Sequence, residues 1–309
     1  MSDAQQLPLF EGDHLTPNTP LNKAVRPFLE YLRGEGKSPN TLTSFRSDLN
    51  LLGQFLEQDV IPLKALSTRR LNEFLHWLEH GRGIPCSRKS YARRVTTLKV
   101  FFKWLHDTKV LRDDPAAALI QRSGPAPLQQ ILSPQEIEQA LSTARQLRRG
   151  DKSDARPYTL FVLLLETGIK KSETVLLTTA DIENRDSENP QISVRYKRQN
   201  VFKERRLPVS YEWLAGLDEY LDQYAPEDNL IFDCTPRNLE YVLSDLTKAA
   251  GIDTRISFEA MRWTSAVRDY LGGMDMDDLR EKMGLSEISW RETSQKIIKL
   301  ANAQLAGGE

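Results

Sequence analysis

Thr167-Gly168-Ile169-Lys170-Lys171-Ser172-Glu173 is the stretch whose surroundings decide the architecture. On its N-terminal side, Tyr158–Thr167 reads as an apolar helix. Its longest apolar run, Leu160–Leu165, is far too short to cross a membrane. On its C-terminal side, residues 171–177 begin another helix. Further on, Ile192, Val194 and Tyr196 alternate, which predicts a strand over 191–196, and residues 205–209 predict a second short strand. Residues 197–204 between them read as a basic turn. Helical spacing returns over 211–224, 237–250, 257–271 and 275–283, with a last helix from about Ser289. Back toward the N-terminus, Ser133-Pro134-Gln135-Glu136 forms a capping box with proline at the first helical position. A domain therefore starts near residue 131: mostly helical, with one small antiparallel sheet.

Ser123, Gly124, Pro125 and Pro127 mark 121–131 as a linker. Before it lie four helices. Residues 21–34 carry Val25, Phe28, Leu29 and Leu32 at helical spacing, and Gly34 and Gly36 end that segment. Ser38-Pro39-Asn40-Thr41 starts a second helix, buried through Leu42, Phe45, Leu49, Leu52, Phe55 and Leu56. Ser67 caps a third, with Leu71, Phe74, Leu75 and Leu78 inward. Ser87 begins the fourth, which runs to about His106 on the stripe Tyr91, Val95, Leu98, Phe101, Phe102 and Leu105. The expected organisation is a disordered tail over 1–20, a four-helix domain over 21–120, the linker, and an α-rich domain over 132–309. Within the tail, Leu7–Phe10 is short and apolar enough to dock on a partner.

The length of 309 residues suits two cores rather than one. Residues 1–20 lack the basic start and apolar centre of a secretory signal. Two cysteines, Cys86 and Cys234, make neither a disulfide framework nor a zinc site. His76 and His80 have the spacing of a metal pair on one helix face. Without a third ligand or an HExxH pattern, they read as a solvated helix end. The expectation is a reduced, cytoplasmic protein with no cofactor and no metal.

The net charge is −1, but its distribution is uneven. Ten basic residues fall between Arg82 and Arg122, opposed only by Asp107, Asp113 and Asp114. On the fourth helix Arg88, Lys89, Arg93, Arg94, Lys99 and Lys103 form a basic face. Residues 195–206 add Arg195, Lys197, Arg198, Lys203, Arg205 and Arg206 against Glu204. Basic surfaces on a near-neutral chain point to a polyanion, and double-stranded DNA is the expected partner.

These segments resemble the tyrosine recombinases, or phage integrases. Ser38-Pro39-Asn40-Thr41-Leu42 is similar to that family's SPNTL signature. The close of the fourth helix, followed by Asp114-Pro115, resembles the end of its core-binding, SAM-like domain. Thr167–Glu173 matches a TGxRxSE box except at the arginine, and Lys203–Val209 matches its KxRxxP segment. The resemblance spans roughly 21–300. It implies a fold of two helical domains and a chemistry in which a tyrosine attacks a DNA phosphodiester. Two arginines clamp the phosphate, a hairpin lysine protonates the leaving oxygen, and histidine or tryptophan residues assist.

Carried across residue by residue, the first arginine falls on Lys170 and the hairpin lysine on Lys197, with Lys203 as the alternative. The HxLR box falls on Glu259-Ala260-Met261-Arg262, which keeps Arg262 and replaces the histidine with Glu259. The later glycine–histidine pair becomes Gly284-Leu285. The nucleophile's place falls on Ser294, and no tyrosine follows Tyr270. For Arg262 the choice is a residual phosphate contact or an ion pair with Glu259 or a nearby acid. Three readings of function compete. One is a DNA-binding protein without strand cleavage; one is a recombinase using Ser294, Ser289 or Thr293; one is a protein–protein scaffold that has lost DNA. The resemblance also suggests that the C-terminal helix, through Ile297, Ile298, Lys299, Leu300 and Leu305, either contacts another copy or a related recombinase or packs on its own domain.

Overall fold

The computed structural model describes residues 15–56, 61–84, 86–121, 128–149, 152–198 and 201–306. The side chains of residues 196–198, 201–203 and 228 lie outside the description as well. The chain divides into two compact units, residues 1–126 and 127–309. That division falls inside the Gly/Pro-rich stretch 121–131.

In the first unit, α1 (Leu21–Gly34), α2 (Pro39–Phe55), α3 (Thr68–His80) and α4 (Arg88–Asp107) enclose one apolar core. The three later helices start at a serine whose hydroxyl accepts a backbone N–H: Ser38 from Thr41, Ser67 from Arg70, Ser87 from Ser90. Each satisfies one of the amides that a helix start leaves without a partner. Phe28 sits at the centre, edge-on to Phe101 and stacked with Phe45. The tail expected over 1–20 is too long. Residues 15–20 are held against 61–64, where Leu63 N donates to Thr19 O at 2.9 Å and Lys64 N to Pro17 O at 2.9 Å. Polarity suggested a loose segment, but Leu15 packs on the core and backbone pairing fixes the rest. The Leu7–Phe10 segment lies outside the described residues.

The second unit wraps α5 (Pro134–Leu147), α8 (Tyr211–Tyr224), α9 (Pro236–Ala250) and α10 (Phe258–Leu271) around the apolar α6 (Arg156–Thr167). Leu160, Phe161, Leu163 and Leu164 on α6 are fully buried. The capping box at Ser133 and Glu136 is formed in both directions. A short α7 (Lys171–Thr174) follows α6. It is three residues shorter than the helix expected over 171–177, because Leu177 turns out to accept from Ile231 N at 2.8 Å. A smaller apolar cluster joins α10 to α11 (Met276–Lys282) and α12 (Glu287–Ala306).

The sheet is antiparallel in the order β1 (Ile182–Glu183), β2 (Gln191–Arg198), β3 (Val201–Pro208). The basic turn expected over 197–204 is strand for most of its length. Lys197 faces Phe202 and Arg198 faces Val201 across the ladder. Alternation could not show this, since polar residues on both faces give no period. The ladder is made by backbone groups, which are the same for every side chain. Among the described residues, no helix is long and apolar enough to cross a membrane.

Candidate functional site

Lys170, Glu173, Arg205 and Arg262 converge in the second unit, and the sequence around each explains its place. α6 ends at Gly168 in the left-handed region, φ 58°. A Cβ there would lie 3.2 Å from Cβ and Oγ of Ser265 on α10, so glycine allows both the turn and the close approach. The turn aims the Gly168 carbonyl at Arg262, whose Nη1 donates to it at 2.7 Å. Arg262 Nη2 donates to Met283 O at the end of α11. Burial is the main reason its guanidinium is held down to about 10; Glu173 pulls the value back up and Arg205 adds a like charge.

Glu173 is the hub. Its carboxylate accepts Arg205 Nη2 at 2.7 Å and Nη1 at 3.1 Å, and Lys170 N at 2.8 Å. Burial raises its affinity for a proton, but the two arginine hydrogen bonds and the arginine charge outweigh that, so its carboxyl lies below the ordinary value. Lys170 Nζ stands 3.7 Å from Glu173 and is the most open cation of the group. Its ammonium is lowered first by burial and further by Arg262 and Arg205. Three cations thus face one carboxylate, and Arg262 and Arg205 have fixed partners.

Glu259, Leu285 and Ser294, which the resemblance sets at assisting or attacking positions, lie in three different environments. Glu259 is exposed on α10, while Arg262 is spent on two carbonyls, so the ion pair considered between them is not the arrangement present. Leu285 packs into the cluster of α10, α11 and α12. Ser294 is 9% exposed inside α12, and its Oγ donates to Arg291 O at 3.3 Å. The second unit contains no histidine.

The basic residues divide sharply by environment. On α4, Arg88 and Lys89 are exposed in the first turn, and Lys103 is exposed beside Asp107 at 3.1 Å. Arg93 and Arg94 turn toward α2 instead. Arg93 Nη1 donates to Asp48 Oδ2 at 2.7 Å and to Ser44 O at 3.2 Å, while Arg94 Nε lies 3.5 Å from Asp48. Asp48 is only 3% exposed, and Thr97 donates a further hydrogen bond at 2.8 Å. The expected six-residue basic face is therefore corrected: Arg94 is an internal partner and Arg93 is half engaged. Lys99 is part-buried, with Nζ 3.5 Å from Ala117 O. Arg205 likewise leaves the open set, while Arg206 stays exposed and meets Glu183 at 3.0 Å. The side chains of Lys197 and Lys203 lie outside the described residues.

Sequence reasoning missed Asp48 and the Glu173–Arg205 pair. An acidic residue with apolar residues at helical spacing, Asp48 with Phe45, Leu51 and Leu52, was the available signal. Among the described residues, no three or more His, Cys, Asp or Glu side chains gather as metal ligands.

Models of known families match both units. One described as "Phage integrase, N-terminal SAM-like domain" covers residues 25–109, and one described as "Phage integrase family" covers 130–293. The chain belongs to the phage integrase family. Among relatives, the tyrosine recombinase XerC of Chromobacterium violaceum is 30% identical over 212 residues, 64% of this chain and 66% of that protein. The XerC of Staphylococcus aureus strain JH9 is 27% identical over 298 residues, 92% of this chain and 94% of that one. Among solved structures, a lambda integrase dimer bound to a COC′ core site aligns with TM-score 0.69 at 16% identity, over 90% of this chain and 77% of that one. The recombinase XerH bound to its difH substrate aligns at TM-score 0.63 and 17% identity, over 93% and 96%. At those identities the likeness is one of fold: a tyrosine recombinase scaffold of helical SAM-like and integrase units with a small sheet.

Proposed function

We propose that this integrase-family chain binds duplex DNA and does not cleave it. The observation that carries the second half is Ser294. Where the family places its nucleophile, this chain has a buried helical serine whose hydroxyl is spent on its own helix. Activating a serine needs a base within hydrogen-bond reach, and no histidine is present in that unit. Lys170 offers a point charge where an arginine would hold two phosphate oxygens at once. Leu285 and Glu259 offer no proton donor suited to a leaving oxygen. The cluster can attract a phosphate and cannot carry it through a covalent step.

DNA binding is supported by the relatives' solved complexes and by the exposed cations of this chain. Of the residues expected to contact DNA, Arg88, Lys89 and Lys103 on α4 and Arg206 on β3 are exposed, Lys103 beside Asp107 and Arg206 beside Glu183; Lys99, Lys197 and Lys203 complete the proposed contact set. Arg93 and Arg94 act one step back, by holding α4 on α2 through Asp48. A second copy or a related recombinase meeting the exposed side of the C-terminal helix at Leu305 belongs to the same proposal, whereas Ile297 and Leu300 are buried against α10 and α11. The test is a nicked duplex that traps covalent intermediates, run beside a gel shift on the intact duplex: shift without adduct supports the proposal, and an adduct or the absence of any shift refutes one half of it.

A further inference from the structure

α3 carries two histidines that the DNA reading does not use. His76 and His80 are one turn apart, both exposed, and their ring centroids are 4.7 Å apart with planes inclined at 47°. The helix is held from the other side, since Leu71, Phe74, Leu75 and Leu78 are buried. Both imidazoles therefore stand on a rigid base, and only their own side-chain torsions remain to be ordered.

We propose that His76 and His80 form a two-histidine chelating site for a late first-row divalent transition-metal ion. Residues four apart on a helix have Cβ atoms ~5–6 Å apart, which lets two imidazole nitrogens reach one ion at roughly 2.0–2.1 Å each. Water fills the remaining positions, so the site is open rather than a closed structural centre. Neutral nitrogen donors favour copper, then nickel and zinc, over magnesium or calcium. Glu73, one turn before His76, is taken by Arg69 at 3.0 Å and Arg70 at 3.4 Å. Asn72 lies exposed one turn earlier on the same stripe, and its amide oxygen is a further donor. His80 is the last residue of α3, and Gly81 N closes the turn on Trp77 O at 2.8 Å. A dication there sits at the negative end of the helix dipole and staples the final turn.

The test is calorimetric titration of the tag-free, full-length chain with Ni²⁺ and Zn²⁺, and with Cu²⁺ against a calibrated chelator. Saturable one-to-one binding is expected, strongest for Cu²⁺. H76Q and H80Q should each weaken it at least tenfold, while H106Q, on α4, should leave it unchanged. Both key positions are exposed, and circular dichroism confirms that each variant is folded. No binding by the parent, or equal binding by the folded H76Q/H80Q variant, overturns the site.

Discussion

Arg205 on β3 and Glu173 on α7 are joined by two hydrogen bonds, at 2.7 and 3.1 Å, with side chains only 13% and 6% exposed. The pair ties the hairpin to the turn after α6. It also fixes the groups around it, since Gly284 lies against the same guanidinium: a Cβ there would fall 2.6 Å from Arg205 Nη1. Removing one partner from such a pair leaves an uncompensated charge. E173A is expected to lower unfolding free energy by about 3 kcal/mol. R205A should cost a similar amount, and the double variant less than the sum. Urea denaturation of the four proteins checks this, and strict additivity would show that the two residues do not act as a unit.

The same carboxylate gives a pH dependence with a definite sign. Its folded value is depressed, so its contribution is present above the ordinary glutamate value and is lost as pH falls through the folded one. The stability difference between the parent and E173Q should shrink as the pH is lowered through the acid range. Denaturation at a series of pH values measures it; a difference that grows toward acid would show the reverse linkage.

Gly168 and Ser265 give a steric test. G168A forces a left-handed alanine, φ 58°, onto a neighbour 3.2 Å away. The left-handed conformation alone costs roughly 1–2 kcal/mol. S265A is expected to be neutral or stabilising, because Ser265 Oγ is buried with no hydrogen-bond partner. Adding S265A to G168A should relieve only the Oγ half of the contact, since alanine keeps its Cβ 3.2 Å away, and should leave the conformational part. Thermal unfolding of the three variants distinguishes the two components.

How much of this was legible in advance follows from what each residue does. The serine caps, the Ser133–Glu136 box and the buried leucine stripes are local, so the helices could be read from neighbours along the chain. The motif around Gly168 could be matched, but its reason lies in Ser265 and Arg262, about a hundred residues away. Arg205 and Arg94 were read as surface cations because a positive charge in sequence carries no address. Only the fold shows that Glu173 and Asp48 meet them. The hairpin ran longer than expected for a related reason: its ladder is backbone, while the side chains of 197–204 carry no alternation.

The division of the basic residues on α4 predicts two different phenotypes. R88A/K89A should weaken binding to every duplex sequence while leaving stability within about 0.5 kcal/mol, as for exposed positions generally. It should also reduce the salt dependence, because each lost phosphate contact removes about 0.9 from the slope of log K against log salt. R93A/R94A should instead destabilise the first unit, since it strands the buried Asp48. Fluorescence anisotropy over a salt series, paired with denaturation, separates the two. Unchanged DNA affinity in R88A/K89A would remove α4 from the interface.

The central claim is binding without cleavage, and covalent trapping tests it most directly. The full-length chain is incubated with a nicked duplex whose cut fragment diffuses away, and the products are resolved by denaturing gel and peptide mass spectrometry. The account predicts a mobility shift under native conditions and no protein–DNA adduct after denaturation. An adduct mapped to Ser294, Ser289, Thr293 or any other hydroxyl of the second unit would contradict it.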